Sequence, residues 1–348
     1  MNNNPLNLSG IDFVEFSSDS PDNLHQLFIE FGFSKLAKHP VKNIDHYKQN
    51  DINFLLSYEP GSFGHQFQSA HGPCISAMGW RVKDSAKALE EALSRGAKAC
   101  FDGDYTYRNG DRVPAIFGIG DSLIYFIDAD ESGQLDLNRL GFEALQDPVI
   151  VKDKGFLSID HLTNNVYKGT MERWGSFYKD IFGFEEVRYF NIQGEKTGLT
   201  SYALRSPCGT FCLPINEADE ANSQINEYLD EYKGEGIQHL AFLTDDILTS
   251  IRQLKRTSIN LLDIDPDFYK DVFDRVPNLK EDKKEIQEMN VLVDGDEDGY
   301  LLQIFTQNVV GPIFIEIIQR ENDMSFRQGN FQALFDSIER DQMKRGVV

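Results

Sequence analysis

The chain has 348 residues, 41% of them hydrophobic and 12% aromatic, which is more core than one typical domain holds, so two domains are expected. Its 56 acidic residues against 34 basic ones leave a formal net charge of -22, which sets it against nucleic acid or an anionic membrane surface as a partner. The opening stretch MNNNPLNLSG has neither a basic nor an apolar targeting region, and no window approaches a membrane span, so a cytoplasmic protein is expected.

In chain order, SGIDFVEFSS (9–18) alternates like a strand. A helix follows, with Ser20 as N-cap, Pro21 at its first position, and Leu24, Leu27, Phe28 and Phe31 as an apolar stripe. It stops at the glycine of FIEFGFSK (28–35), which supplies a left-handed cap. INFLLSY (52–58) reads as a strand, residues 74–97 as strand then helix, and DSLIYFIDA (121–129) as a strand. Residues 129–155 are polar and broken by glycine and proline, so a linker is expected there, with the domain boundary near residue 150.

Beyond the linker the pattern repeats. LSIDHLTNNV (157–166) echoes residues 9–18, and after Thr170 the stripe Met171, Trp174, Phe177, Tyr178, Ile181 echoes the first helix. That helix stops at the glycine of YKDIFGFEEV (178–187). GTFCLPIN (209–216) reads as a strand, residues 236–259 echo 74–97, and PIFIEIIQR (312–320) echoes 121–129. The four cysteines, Cys74, Cys100, Cys208 and Cys212, are too few for a disulfide framework. CGTFC (208–212) is not a CxxC, and strand alternation predicts two ordinary buried thiols on one face. The chain ends in NFQALFDSIERDQMKRG (330–346), a helix with Phe331, Leu334, Phe335 and Ile338 on one side.

Glu316 stands among Ile313, Phe314, Ile315, Ile317 and Ile318, a run that reads as a strand buried on both faces. A carboxylate there needs a compensating charge. Superposing the halves puts Phe13 on His161, Ala77 on His239 and Tyr125 on Glu316. Two imidazoles and a carboxylate on neighbouring strands form a facial triad that leaves coordination positions open and suits non-haem Fe(II), although zinc accepts the same set. The bland alternatives are a hydrogen-bonded core histidine at 161 and a salt bridge from Glu316 to Arg320 or Arg205. His65 and His71 fall in a glycine-containing loop, and His25, His39 and His46 in exposed helix or turn sequence. DGDEDG (294–299) imitates the start of a calcium loop but has Phe305 at position 12, so a tight acidic turn is expected.

The ordered segments SIDHLTNNV, GLTSYALRSP, LPINE, GIQHLAF, LLQIFT, IFIEIIQR and FRQGNFQALFDSIE resemble the 4-hydroxyphenylpyruvate dioxygenases of the vicinal-oxygen-chelate superfamily. The resemblance implies an α+β fold of two vicinal-oxygen-chelate domains built from paired βαβββ modules. Each would be an open β-barrel with flanking helices, followed by a C-terminal helix. Residues 8–150 would form a domain without metal ligands and 151–348 the catalytic one. His161, His239 and Glu316 would hold Fe(II). Ser201, Asn216, Gln238 and Gln303 take catalytic positions, and Gln224, Phe305, Phe314, Phe326, Asn330 and Phe331 substrate positions. Read without the resemblance, Phe305 and Phe314 are equally well core residues. Ser325 and Arg327 replace the glycines usual in the family's loop before the last helix.

The implied reaction takes 4-hydroxyphenylpyruvate and O₂ to homogentisate and CO₂ in tyrosine and phenylalanine catabolism. A homodimer or homotetramer is also implied, and the terminal helix is expected either to lid the metal pocket or to cover the barrel edge. Two rivals stay open: a 4-hydroxymandelate synthase, which oxygenates the side chain of the same substrate, and a non-catalytic ligand-binding protein on the same scaffold.

Overall fold

The computed structural model describes residues 3–128 and 136–347, so the start of the expected linker, 129–135, lies outside the described residues. The first half runs β1 (Leu8–Ser17), α1 (Pro21–Glu30), β2 (Ser34–Lys38), β3 (Ile44–Gln49), β4 (Ile52–Ser57), α2 (Phe63–His71), β5 (Cys74–Val82), α3 (Ser85–Ser94), β6 (Ala99–Cys100), β7 (Ala115–Phe117), β8 (Leu123–Asp128) and β9 (Glu143–Val149). The second runs β10 (Phe156–Val166), α4 (Met171–Phe177), β11 (Glu185–Gln193), β12 (Gly198–Arg205), β13 (Cys212–Ala218), α5 (Gln224–Tyr232), β14 (Gly236–Thr244), α6 (Ile247–Leu254), α7 (Tyr269–Arg275), α8 (Lys283–Glu288), β15 (Leu292–Gly295), β16 (Tyr300–Phe305), β17 (Phe314–Glu321) and α9 (Gln328–Arg345).

Each half curls one mixed sheet into a half-barrel with helices outside. The orders β6-β7-β8-β5-β1-β4-β3-β2-β9 and β15-β16-β17-β14-β10-β13-β12-β11 correspond strand for strand, with β9 extra. Even the registers agree: Phe13 pairs Gly79 as His161 pairs Ala241, and Gly79 pairs Tyr125 as Ala241 pairs Glu316.

The repeated FGF segments hold the halves together. Gly32 and Gly183 adopt φ of 87° and 80°, turning the chain so that the flanking phenylalanines reach across. Phe242 of β14 lies 6.0 Å from Phe31 and 5.7 Å from Phe33. Its counterpart Trp80 of β5 lies 4.7 Å from Phe182 and 5.9 Å from Phe184. Each half thus buries an aromatic residue of its central strand in the other half's helix terminus.

Several local expectations are corrected. Ser20 and Thr170 precede their helices but neither caps with its side chain, and Thr170 instead donates to Glu235 at 2.5 Å. The linker contains β9, which pairs with β2 at the sheet edge, where Pro148 costs no ladder bond. Cys208 sits in a turn before β13, because Gly209 takes φ of 76° there. His65 and His71 lie in α2, where Ser62 accepts a hydrogen bond from the His65 N–H. His46 is buried in β3 and bonded to Asn53 at 2.9 Å. DGDEDG, by contrast, forms the expected acidic turn between β15 and β16, with Asp298 N–H donating to Asp296 at 3.0 Å.

Candidate metal centre

Three neighbouring strands of the second half place the site. His161 comes from β10, His239 from the adjacent β14 and Glu316 from β17 beside it. One Glu316 oxygen, Oε2, lies 3.1 Å from His161 Nε2 and 3.4 Å from His239 Nε2. All three donor atoms fall within 4.8 Å of one another, and all three residues are buried. No other such cluster occurs among the described residues. Arg320 and Arg205 do not pair with Glu316: Arg320 grips Asp160, and Arg205 donates to the Met324 carbonyl.

Burial alone would lower both imidazole pKa values, and the two histidines part ways because of their neighbours. At His161, burial is overridden by the Glu316 and Asp160 carboxylates, which hold the imidazolium up to about 9. His239, buried and facing His161, is pushed well below the ordinary range. Glu316 is thus met by positive charge, a role that a divalent cation fills with both imidazoles neutral. The donor set fits a metal that prefers nitrogen and oxygen ligands and retains open positions.

Strand periodicity decides what else faces this centre. On β17, Glu316, Ile318 and Arg320 line one cavity; on β16, so do Leu301, Gln303 and Phe305. Ser201 and Asn216 are direct cross-strand partners on β12 and β13 and share its wall. Phe326, Phe331 and Leu334 close it from the loop before α9 and from α9 itself. The cavity therefore collects His161, His239, Glu316, Ser201, Asn216, Gln303, Phe305, Phe326 and Phe331.

The remaining predicted residues stand next to it. Gln224, Gln238 and Phe314 line a neighbouring cavity between α5, α9 and the 262–266 segment. Phe314 stacks on His239 at 4.7 Å and 21°, so it supports that ring from outside the first cavity. Gln238 turns its carbonyl to His239 Nδ1 at 3.1 Å. Asn330 donates to Gln303 at 2.8 Å, and Gln303 donates to Glu316 Oε1 at 2.7 Å, so two amides tie the start of α9 to the carboxylate. Glu339, further along α9, accepts the N–H groups of Glu195, Lys196 and Thr197 and pins the helix to the β11–β12 hairpin.

Sequence reading missed Thr163, Phe190 and Pro214, which also line the cavity. Thr163 had a signal, since it lies two residues from His161 on the same strand face. Asn165 was missed as well: its Oδ1 accepts from the Asn216 amide at 3.3 Å. That bond leaves Asn216 Oδ1 buried without a hydrogen-bond partner among the described residues, a free acceptor on the cavity wall.

Comparison with known proteins follows the same line. The family model described as the N-terminal region of hydroxyphenylpyruvate dioxygenase matches residues 2–142. That of the glyoxalase/bleomycin resistance protein/dioxygenase superfamily matches residues 158–304. Fold and site together define a protein of two glyoxalase-type domains in the vicinal-oxygen-chelate superfamily. Protein MelA of Shewanella colwelliana is 57% identical over 349 residues, 99% of each chain. The 4-hydroxyphenylpyruvate dioxygenase of Legionella pneumophila is 43% identical over 350 residues, 100% of this chain and 98% of that one. The chain belongs to the 4-hydroxyphenylpyruvate dioxygenase family. A solved mutant of 4-hydroxymandelate synthase from Streptomyces coelicolor shares the fold, with a TM-score of 0.81 at 24% identity over 96% of this chain and 99% of that one.

Proposed function

We propose that this chain is a ferrous iron dioxygenase that converts 4-hydroxyphenylpyruvate and O₂ to homogentisate and CO₂, a step of tyrosine and phenylalanine catabolism. The observation that carries this reading is the convergence of His161, His239 and Glu316 on one largely apolar cavity, in a chain similar end to end to a named 4-hydroxyphenylpyruvate dioxygenase. When bound, Fe(II) would supply a chelating point for the 2-oxo acid and the redox chemistry with O₂. His161, His239 and Glu316 would hold it from one side, leaving the cavity side for the substrate.

The chain's own residues bind, orient and exclude water. Phe305, Phe326, Phe331 and Phe190 offer apolar walls to an aromatic ring, and the Phe190 and Phe331 rings already meet edge to face at 5.7 Å. The free Asn216 carbonyl, with Ser201 opposite, would take the phenol hydrogen; an unpaired buried acceptor costs free energy until it is met. Gln303 holds the second oxygen of Glu316 and so keeps the carboxylate turned toward both imidazoles. Leu334 and α9 cover the cavity, so the helix would shield it from water during turnover.

The test is product analysis with the iron-loaded protein and 4-hydroxyphenylpyruvate. Equal amounts of CO₂ released and O₂ consumed, with homogentisate as product, are expected. Formation of 4-hydroxymandelate would reassign the reaction to the side chain. No O₂ uptake by the fully loaded protein would leave a binding function.

A further inference from the structure

The two histidine ligands share a feature of backbone geometry. Residues in β10 and β14 pair Ile159 with Phe242 but His161 with Ala241, and Thr163 with His239 but Asn164 with Ile237. Asp160 and Gln238 are therefore the extra residues of two β-bulges, each directly before a histidine. In a regular strand, successive side chains point to opposite faces. A bulge breaks that alternation and re-aims a side chain. Here it brings Asp160 Oδ2 to 2.7 Å from His161 Nδ1, and Gln238 Oε1 to 3.1 Å from His239 Nδ1.

The Asp160 side of this arrangement is built far more heavily. Arg320 grips both Asp160 oxygens, from Nε at 2.7 Å and from Nη2 at 2.8 Å. Its remaining nitrogen, Nη1, donates to the carbonyls of Asp323 at 3.2 Å and Ser325 at 2.7 Å, in the loop that leads to α9. The guanidinium also lies 5.4 Å from the centre of the Phe326 ring, and that ring meets His161 edge to face at 5.2 Å. A carboxylate only accepts, so its contact requires the proton on Nδ1 and leaves Nε2, the atom facing Glu316, free to bind a metal.

We infer that Asp160 and Arg320 are positioning residues: the bulged carboxylate, clamped by the guanidinium, fixes the tautomer and ring orientation of His161 and couples that ligand to the Phe326 loop. This deepens the metal-binding reading and rests on it. The first half supplies an internal control. Asp12 is the bulge residue at the equivalent position and forms an ion pair with Arg81 at 2.6 Å, but Phe13, not histidine, follows it.

The experiment titrates the metal-free full chain with Co(II) under anaerobic conditions, reading affinity and the visible spectrum of the bound ion. Asp160→Asn should weaken Co(II) by about 10- to 100-fold and alter the spectrum. Arg320→Lys, which keeps the charge and loses the fork, should weaken it by a smaller factor and answers the question if Asp160→Asn does not fold. Asp12→Asn should lower thermal stability and leave Co(II) affinity unchanged. Native affinity and spectrum in Asp160→Asn or Arg320→Lys would overturn the relay, as would an equal loss of affinity in Asp12→Asn. Native-like Co(II) binding by His161→Ala would instead overturn the metal site itself, and the relay with it.

Discussion

Two copies of one scaffold in this chain have resolved the same central position in opposite ways. Where the second half has His161, His239 and Glu316, the first has Phe13, Ala77 and Tyr125, and there the rings fill the barrel. Phe13 lies 5.5 Å from Tyr105, and Tyr105 meets Tyr125 edge to face at 5.0 Å. Gly79 makes that packing possible, because a Cβ there would fall 2.3 Å from the Phe13 ring. The first half does bury a carboxylate, Glu15, on the same strand as Phe13, but it is surrounded by hydroxyl groups. Ser76 donates to it at 2.5 Å and Tyr105 bonds its other oxygen. Burial, and then the nearby Asp104, push its pKa up to about 7. A buried carboxylate can therefore be accommodated either by taking up a proton or by gathering with imidazoles around a cation, and the difference lies in the groups that face it: Ser76, Tyr105 and Asp104 at Glu15, His161 and His239 at Glu316.

The largest effect is expected where the second copy is made like the first. Replacing His161, His239 or Glu316 by alanine removes a ligand and should abolish stoichiometric iron and lower turnover on the order of 1,000-fold or more, a loss of about 4 kcal/mol. Iron analysis with O₂ uptake checks this, and a variant that keeps both would dissolve the contrast between the halves. Ending the chain after Ser325 removes Phe326, Phe331 and α9, which have no counterpart among the described residues of the first half. Turnover should fall about 100-fold through misplaced substrate and admitted water, while iron stays bound. Full activity after that truncation would make α9 an edge cover and nothing more.

The packing side of the contrast is sharpened by exchanging single methyl groups. Gly79→Ala should destabilise the fold by about 2–3 kcal/mol, because the Phe13 ring has nowhere to move. The matching Ala241→Gly should cost about 1 kcal/mol, mostly as backbone entropy. Denaturant titration measures both, and equal costs would show that the first half is not the tighter plug.

The smallest effect is a pH dependence from Glu15. Its folded pKa of about 7 exceeds the ordinary glutamate value of 4.5, so the folded state binds its proton more tightly than the unfolded chain. The resulting stability is fully present below pH 4.5 and is lost as pH rises through 7. Relative to Glu15→Gln, the native protein should lose about 2 kcal/mol between pH 5 and pH 8. Parallel stability curves for the two proteins would show Glu15 to be ionised in place.

Much of this was legible in the residues. Repeated apolar stripes and the FGF terminators expose the duplication, and setting one copy over the other picks out His161, His239 and Glu316 from sequence alone. The ladder registers agree with that superposition residue for residue. Other features were hidden for identifiable reasons. His46 looked exposed because a short polar strand leaves little periodic signal, and its burial depends on pairing with Asn53 of the next strand. Gln238 was expected at a catalytic position, but nothing in the sequence signalled the bulge that turns its carbonyl to its neighbour His239.

Taken alone, then, the sequence determined the main elements, the duplication and the three residues of the buried His-His-Glu group, because hydrophobic period, glycine punctuation and side-chain chemistry are local properties. The tertiary structure alone decided how those side chains are aimed. Bulges exist only where two strands pair, and Arg320 meets Asp160 across 160 residues of chain. Whether a buried charge finds a proton, a guanidinium or a cation depends on contacts that only the folded packing creates.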